Sequence, residues 1–483
     1  MALVVKQGSN ILSTRKVPII FVPGVMGSRL HFPNVNEDWD PDSSWAMFHW
    51  VRISAEKARQ EMGFRAPATV MTSNSGLSAA ETQHGYAGVA SGFYVDFLRH
   101  LVGLTTLCAT CPVYAVGYDW RQSNKDSGNA LDTQITAILA QETAENFILI
   151  SHSMGGIVSR SCLQSSGNAG KLSGVIHVVQ PATGAAVFYR RMYTGAIKSI
   201  DGGQALSWIQ GTNARDFATV LSGLRGPCEL IPNNNYRDTG AVDWLWDDRV
   251  TPATAWNGPM FPWYLSATEP PNVWWSVAGV LTKVTPTPLV DLRARMSESD
   301  TFHAGLGLWK HANTWAIYST GLTTDMAVRF STATAGGVVL GGAASVQMQR
   351  RAEGDGTVPG SSASALFSAA ETSTDVTGHE LIMDRSKKQV QVSGVDHAAA
   401  FASNDVRNII EQMLLIALGC VSAPGDFPPP GQTVADSSNG GSQSTDSSTA
   451  DSSGQVASND SGNTDSGNPP DPSDWSTDSQ ATT

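Results

Sequence analysis

The sequence predicts an α/β fold, a mostly parallel sheet covered by helices on both faces. Three observations predict it. Short apolar runs of strand length alternate with stretches of helical spacing over the first 180 residues. The strand runs are apolar almost throughout, as strands buried on both faces are. After a break rich in Trp, Pro, Gly and Asn, the same rhythm returns towards the end of the chain. With 41% apolar residues in a chain of 483, there is enough material for a large core.

The elements follow in order. VPIIFV (17–22) is a buried strand that ends at Pro23-Gly24. FYVDFLRHL (93–101) has helical spacing, and CPVYAVGYDW (111–120) is a strand leading into a polar loop. ALDTQITAILAQETA (130–144) sets Leu131, Ile135, Ile138 and Leu139 on one helical face. NFILIS (146–151), GGIVSRSCLQSS (155–166) and LSGVIHVVQ (172–180) read as strand, helix and strand. A core segment 1–183 is therefore followed by a cap insertion, 184–271, where the rhythm is lost. NVWWSVAGVL (272–281) is a further strand candidate. QRRAEGDGTVP (349–359), KQVQVSG (388–394) and the helical DVRNIIEQMLLIAL (405–418) then return to the α/β pattern, giving a second core segment, 272–423. Past SAPGDFPPPG, residues 430–483 hold fourteen serines, eight aspartates and no Lys or Arg. Such a composition cannot bury enough apolar surface to offset its ordering entropy, so 424–483 is expected to be a disordered tail.

Several function classes drop out. The net charge is −12, and the tail's eight aspartates carry most of it. The body has no basic stripe, so no nucleic-acid partner is expected. No run of about 18 apolar residues spans a bilayer. MALVVKQGSNILSTRK lacks the features of a secretory signal. The expected location is cytoplasmic, with secretion by a signal-independent route as the alternative. Five cysteines make no disulfide scaffold. Cys108 and Cys111 form a lone C-x-x-C without the second pair that zinc needs, and they read as two plain thiols in a loop. No metal and no organic cofactor is expected.

The chemistry centres on SHSMGG (151–156). A strand, a tight turn and then a helix is the setting of a nucleophile elbow, whose usual pattern is G-x-S-x-G. Gly155 fills the +2 position, whereas Ser151 stands where glycine is usual. The competing reading makes Ser153 a helix N-cap, but the two glycines at 155 and 156 weaken a helix start. A serine nucleophile needs a base and an acid that orients the base, in the chain order Ser, Asp or Glu, His. Asp355 lies between two glycines in GDGTVP, a turn that projects a carboxylate. His397 lies in SGVDHAAAF between the strand 388–394 and the last helix. Rival histidines are His303, His311 and His379, and rival acids are Asp291, Asp325 and Asp396. His152 adjoins the serine on the strained turn, and its side chain is expected to point away from Oγ. The oxyanion needs two backbone N–H donors. Met154 supplies one. Val25 or Met26 supplies the other from FVPGVMGSRL, with Val25 favoured, and Gly27-Ser28 is expected to let the backbone approach the substrate.

PGVMGSRL (23–30), VGYDWRQS (116–123), SHSMGG (151–156), GDGTV (354–358) and DHAAAF (396–401), taken in this order, resemble the lecithin:cholesterol acyltransferase-like family of α/β-hydrolases, which includes lysosomal phospholipase A-type enzymes. The resemblance implies the α/β-hydrolase fold, a Ser153–Asp355–His397 triad and an oxyanion hole at Val25 and Met154. It also implies a structural role for Asp119 and Arg121 and a lid over about 33–75. Substrate choice does not carry over, because no family motif is found in the cap or the tail.

Eight of the fourteen tryptophans fall between 244 and 315, and Trp39, Trp45 and Trp50 follow the oxyanion loop. Tryptophan suits an apolar surface with a wet edge, as at a lipid interface, although it also builds the small core of an insertion. The expected function is a serine hydrolase of a lipid or other ester, acting through an acyl-enzyme and touching a membrane surface transiently. The alternatives are an O-acyltransferase of the same mechanism, an exported antibacterial lipase, and a non-catalytic protein on the same fold. The oligomeric state is left open.

Overall fold

VPIIFV forms strand β1, Ile19–Val22, and all four residues are at 0% exposure. The computed structural model describes residues 15–194, 211, 214–233, 235–236, 245–247, 286–335, 338–421 and 475–476. The central sheet adds β2 (Val113–Ala115), β3 (Phe147–His152), β4 (Leu172–Val178), β5 (Thr314–Thr320), β6 (Thr372–Ser373) and β7 (Gln389–Ser393). The order across it is β6-β7-β5-β4-β3-β1-β2, with every neighbouring pair parallel. Parallel neighbours need long crossovers. Helix Asn124–Glu142 joins β2 to β3, and helix Met154–Ser165 joins β3 to β4.

The period-two alternation of the strands divides the core in two. Ile20, Val22, Leu149 and Val175 face Leu131, Ile135, Ile157 and Val158 of those two helices. Ile19, Phe21, Ile148, Ile150 and Ile176 face the other way, with Phe97 and Leu98 of helix Ser91–Val102 and Ile410 and Met413 of helix Asn404–Leu418. The predicted helical face of Leu131, Ile135, Ile138 and Leu139 is buried. An α/β-hydrolase arrangement results, as the motifs implied.

Several expectations need correction. Residues 349–354 do not join the central sheet. They end the second strand of an antiparallel hairpin, Leu322–Ala335 with Val338–Gly354, which leaves at the end of β5 and returns beside it. β5 itself, TWAIYST, was not anticipated, yet it fills the place between β4 and β7. Cys108 is not a plain thiol. It is bonded to Cys420 across 312 residues of sequence, with Cα atoms 5.4 Å apart. Of the three tryptophans after the oxyanion loop, Trp39 and Trp50 are buried against Trp120 and Phe32. Trp45 is 84% exposed on helix Ser44–Arg52.

The strand candidate 272–281 lies outside the described residues, as do most of the cap and the tail. In the tail, Trp475 and Ser476 pair with Gln349 and Met348. Within the expected cap, helix Ala214–Ser222 packs on helices Pro286–Leu306 and Ala55–Glu61. Arg59 on the last of these reaches Asp291 at 2.8 Å. No helix among the described residues is long and apolar enough to cross a membrane.

Candidate active site

Strand β3 ends in a turn that puts Ser153 at φ 51°, ψ −123°, a conformation non-glycine residues rarely adopt. The surroundings hold it there. Its N–H donates to the Val178 carbonyl at 3.0 Å, and its carbonyl accepts from Gly156 N at 2.9 Å. The hydroxyl makes no capping bond to the following helix, so the N-cap reading is set aside. Gly155 must be glycine, because a Cβ there would stand 2.6 Å from the Val22 carbonyl oxygen and against that of Pro23. Ser151 is accommodated because β4 offers it a partner: its hydroxyl is 2.7 Å from Nδ1 of His177, and both residues are at 0% exposure.

Ser153 Oγ lies 2.9 Å from Nε2 of His397, and Nδ1 of His397 lies 2.7 Å from Oδ2 of Asp355. The other oxygen of Asp355 accepts the N–H groups of Thr357 at 2.9 Å and Val358 at 2.6 Å. The Asp355 carbonyl accepts His397 N at 3.0 Å, so the acid turn and the histidine loop are tied by backbone as well. The three residues singled out in the sequence thus meet. The rivals are engaged elsewhere. Asp396 accepts the N–H groups of Ala398 and Ala399, and Asp325 pairs with Arg190 and Arg350. Asp291 pairs with Arg59. His303 bonds the Glu229 carbonyl, His311 accepts Asn313 N, and His379 opens a short helix.

Residues 24–27 form a tight turn closed by Gly27 N donating to the Gly24 carbonyl at 3.1 Å, with Met26 at φ 61°. Among the described residues, the N–H groups of Val25 and Met154 find no hydrogen-bond acceptor. Gly27 has a packing role of its own. A Cβ there would stand 2.6 Å from the Tyr94 hydroxyl, so its bareness admits Tyr94. Val25 and Met26 also line a small, mostly apolar pocket with Phe188, Phe217, Leu221 and Leu224, and Arg191 is its one charged neighbour among the described residues.

Two features went unforeseen. His152 does point away from Oγ, but its ring is bonded on both nitrogens, to Tyr94 and to the His397 carbonyl. Burial and the nearby His397 hold it down to about 3, so it is neutral. No sequence pattern marks Tyr94. Asp119 and Arg121 brace the fold: the guanidinium chelates Asp119 at 2.7 Å and bonds the carbonyls of Met62, Gly63 and Ala66. No cluster of three metal-ligating side chains occurs among the described residues.

A model of the lecithin:cholesterol acyltransferase family matches residues 55–257, a span that includes Ser153. No curated protein matches the chain. Among solved structures, the Tle4–Tli4 complex aligns with a TM-score of 0.61 at 18% identity, over 84% of this chain and 99% of that one. Phospholipase PlaB from Legionella pneumophila aligns with a TM-score of 0.20 at 15% identity, over 42% of this chain and 34% of that one. The first likeness is one of fold, and it agrees with the parallel sheet described above. The family match, over less than half of the chain, and the shared fold both agree with the resemblance of the motifs to the lecithin:cholesterol acyltransferase-like α/β-hydrolases.

Proposed function

We propose that this protein is a serine-dependent lipid ester hydrolase working through an acyl-enzyme. The observation that carries the reading is the hydrogen-bonded series from Ser153 Oγ to His397 to Asp355, at 2.9 and 2.7 Å. His397 takes the serine proton as Oγ attacks the ester carbonyl, then hands it to the leaving alcohol. Asp355 accepts from Nδ1, which fixes the tautomer that leaves Nε2 free as base and steadies the imidazolium. The N–H groups of Val25 and Met154, which find no acceptor among the described residues, hold the oxyanion. Water activated by His397 then releases the acyl group. No metal or organic cofactor enters these steps.

A lipid substrate is supported by the mostly apolar pocket beside the 24–27 turn and by exposed Trp45 and Phe48 on helix Ser44–Arg52. The test is fluorophosphonate labelling of the native protein and of Ser153→Ala, followed by a phospholipid and triglyceride panel with and without an added alcohol. Labelling that survives the substitution overturns the serine assignment. Hydrolysis confined to short soluble esters overturns the lipid part. Acyl transfer to the alcohol in preference to water makes the protein an acyltransferase.

A further inference from the structure

His152 and Tyr94 form a buried connection that the steps above do not use. Both are almost fully buried, at 5% and 3% exposure. With the His152 ring neutral, the donors and acceptors along it can be assigned in only one way. The His397 carbonyl accepts only, so Nε2 of His152, 3.0 Å away, carries the hydrogen. In a neutral ring Nδ1 is then the acceptor, and the Tyr94 hydroxyl at 2.9 Å donates to it. The Tyr94 oxygen in turn accepts the N–H of Gly24 at 3.2 Å. A single neutral series thus runs from Gly24, at the start of the turn that carries Val25, to the backbone of the histidine loop. Phe401 packs on both rings, at centroid distances of 5.5 Å from His152 and 6.3 Å from Tyr94. Gly27 is bare where Tyr94 passes.

The neutrality matters because the His152 and His397 rings are 5.3 Å apart. A charged ring at that distance would oppose the imidazolium that His397 becomes during acyl transfer. A neutral ring with its N–H aimed at the His397 carbonyl orients the loop without that opposition.

We propose that His152 is a positioning residue: through Tyr94 it sets the oxyanion turn and the His397 loop at a fixed spacing, so that N–H donors and base meet the same tetrahedral intermediate. This rests on the roles given above to Ser153, His397 and Val25. A spacing error at either side lowers the rate of the chemical step and leaves the binding of a small ester almost unchanged.

The test compares kcat and KM of the full-length protein on a short water-soluble ester, with rates expressed per site titratable by fluorophosphonate. Tyr94→Phe keeps the ring and removes only the hydroxyl. Its expected result is a kcat lower by about tenfold with KM within about twofold. His152→Leu loses both bonds and falls by about a hundredfold, while His152→Gln, which keeps an amide donor for the His397 carbonyl, recovers much of that loss. If His152→Leu does not fold, Tyr94→Phe and His152→Gln decide the matter alone. Native kcat per titrated site in both of them overturns the proposal, as does a loss confined to KM or to the number of titratable sites. Turnover by Ser153→Ala in the same assay is a different failure, because it removes the site reading on which the proposal stands.

Discussion

Ser153 Oγ and His397 Nε2 lie 2.9 Å apart although 244 residues separate them in the chain. Two different strand ends produce the meeting: β3 delivers the serine on a strained turn, and β7 delivers the histidine two strands beyond β4. Asp355 arrives by neither route but at the return of the long hairpin beside β5. The acid is 1% exposed and both its oxygens accept hydrogen bonds, so in the proposed mechanism its part is to hold the imidazole in one tautomer. Asp355→Asn is expected to lower kcat by about 10³–10⁴-fold with KM little changed, because the amide favours the wrong tautomer. Soluble-ester kinetics on a variant of native circular dichroism checks it, and a loss under tenfold would sink the orienting role.

Ser151 offers a local test of how strict the elbow is. Its hydroxyl bonds a buried His177 that would otherwise lose its Nδ1 partner. Ser151→Gly restores the commoner elbow residue yet strands that nitrogen. The expectation is near-native kcat with stability lower by about 1–3 kcal/mol. Urea unfolding alongside kinetics separates the two effects, and lost activity at unchanged stability would contradict the account.

Much of the site was legible in the sequence because its parts are local. The elbow, the Gly-Asp-Gly turn and the histidine loop each require particular residues within a few positions of one another. The hidden parts are made by contacts between distant segments. Cys420 carries no spacing signal towards Cys108, and Tyr94 looks like any aromatic on a helix face. β5 reads as an ordinary polar-ended stretch, since only its middle residues are apolar. Trp39 and Trp50 suggested an interface by type, but their burial depends on where Trp120 and Phe32 stand.

Buried titratable groups predict how stability depends on pH. Burial lowers His152 and His177 to about 3 and His303 to about 4, from 6.5. Below pH 6.5 the unfolded chain therefore binds up to three protons that the folded protein refuses, and stability falls as pH falls. Glu229 runs the other way: burial raises it from 4.5 to about 8. Between those values the folded protein keeps a proton that the unfolded chain has released, so stability falls as pH rises. Three histidines outweigh one carboxyl below 6.5, and the carboxyl acts alone above it. A maximum near pH 6.5 is expected, with a net loss of about 3 kcal/mol per pH unit around pH 5. Urea melts at pH 5, 6.5 and 8 measure this, and Glu229→Gln should flatten the upper arm. Stability that rises steadily from pH 6.5 down to 5 would refute it.

The Cys108–Cys420 bond staples the loop after helix Ser91–Val102 to the chain just past the last helix. Cys111, Cys162 and Cys228 stay free. Thiol titration of the denatured, unreduced protein should give three thiols, and five after reduction. Cys108→Ser should cost about 2–4 kcal/mol, read as a lower unfolding midpoint, with the kinetics of the folded enzyme unchanged. Five thiols before reduction, in protein made under oxidising conditions, would show the bond absent.

Helix Ser44–Arg52 bears on what the enzyme works upon. Met47 and Trp50 are its buried side. Trp45 at 84% exposure and Phe48 at 49% stack on the opposite side with ring centroids 6.2 Å apart, and the Arg52 guanidinium covers Phe48 at 4.8 Å. Two adjacent aromatics held in water by a helix with an otherwise packed face gain by entering a lipid surface, where the indole suits the boundary between headgroups and acyl chains. They are far enough from the packed core that Trp45→Ala should leave stability within about 0.5 kcal/mol. Hydrolysis of phospholipid vesicles by Trp45→Ala and by the double variant with Phe48→Ala should drop by about tenfold or more, while turnover of a soluble short-chain ester stays native. Equal losses on both substrates would place these residues in folding or in the pocket, and no loss on vesicles would remove this helix from the substrate-contacting surface.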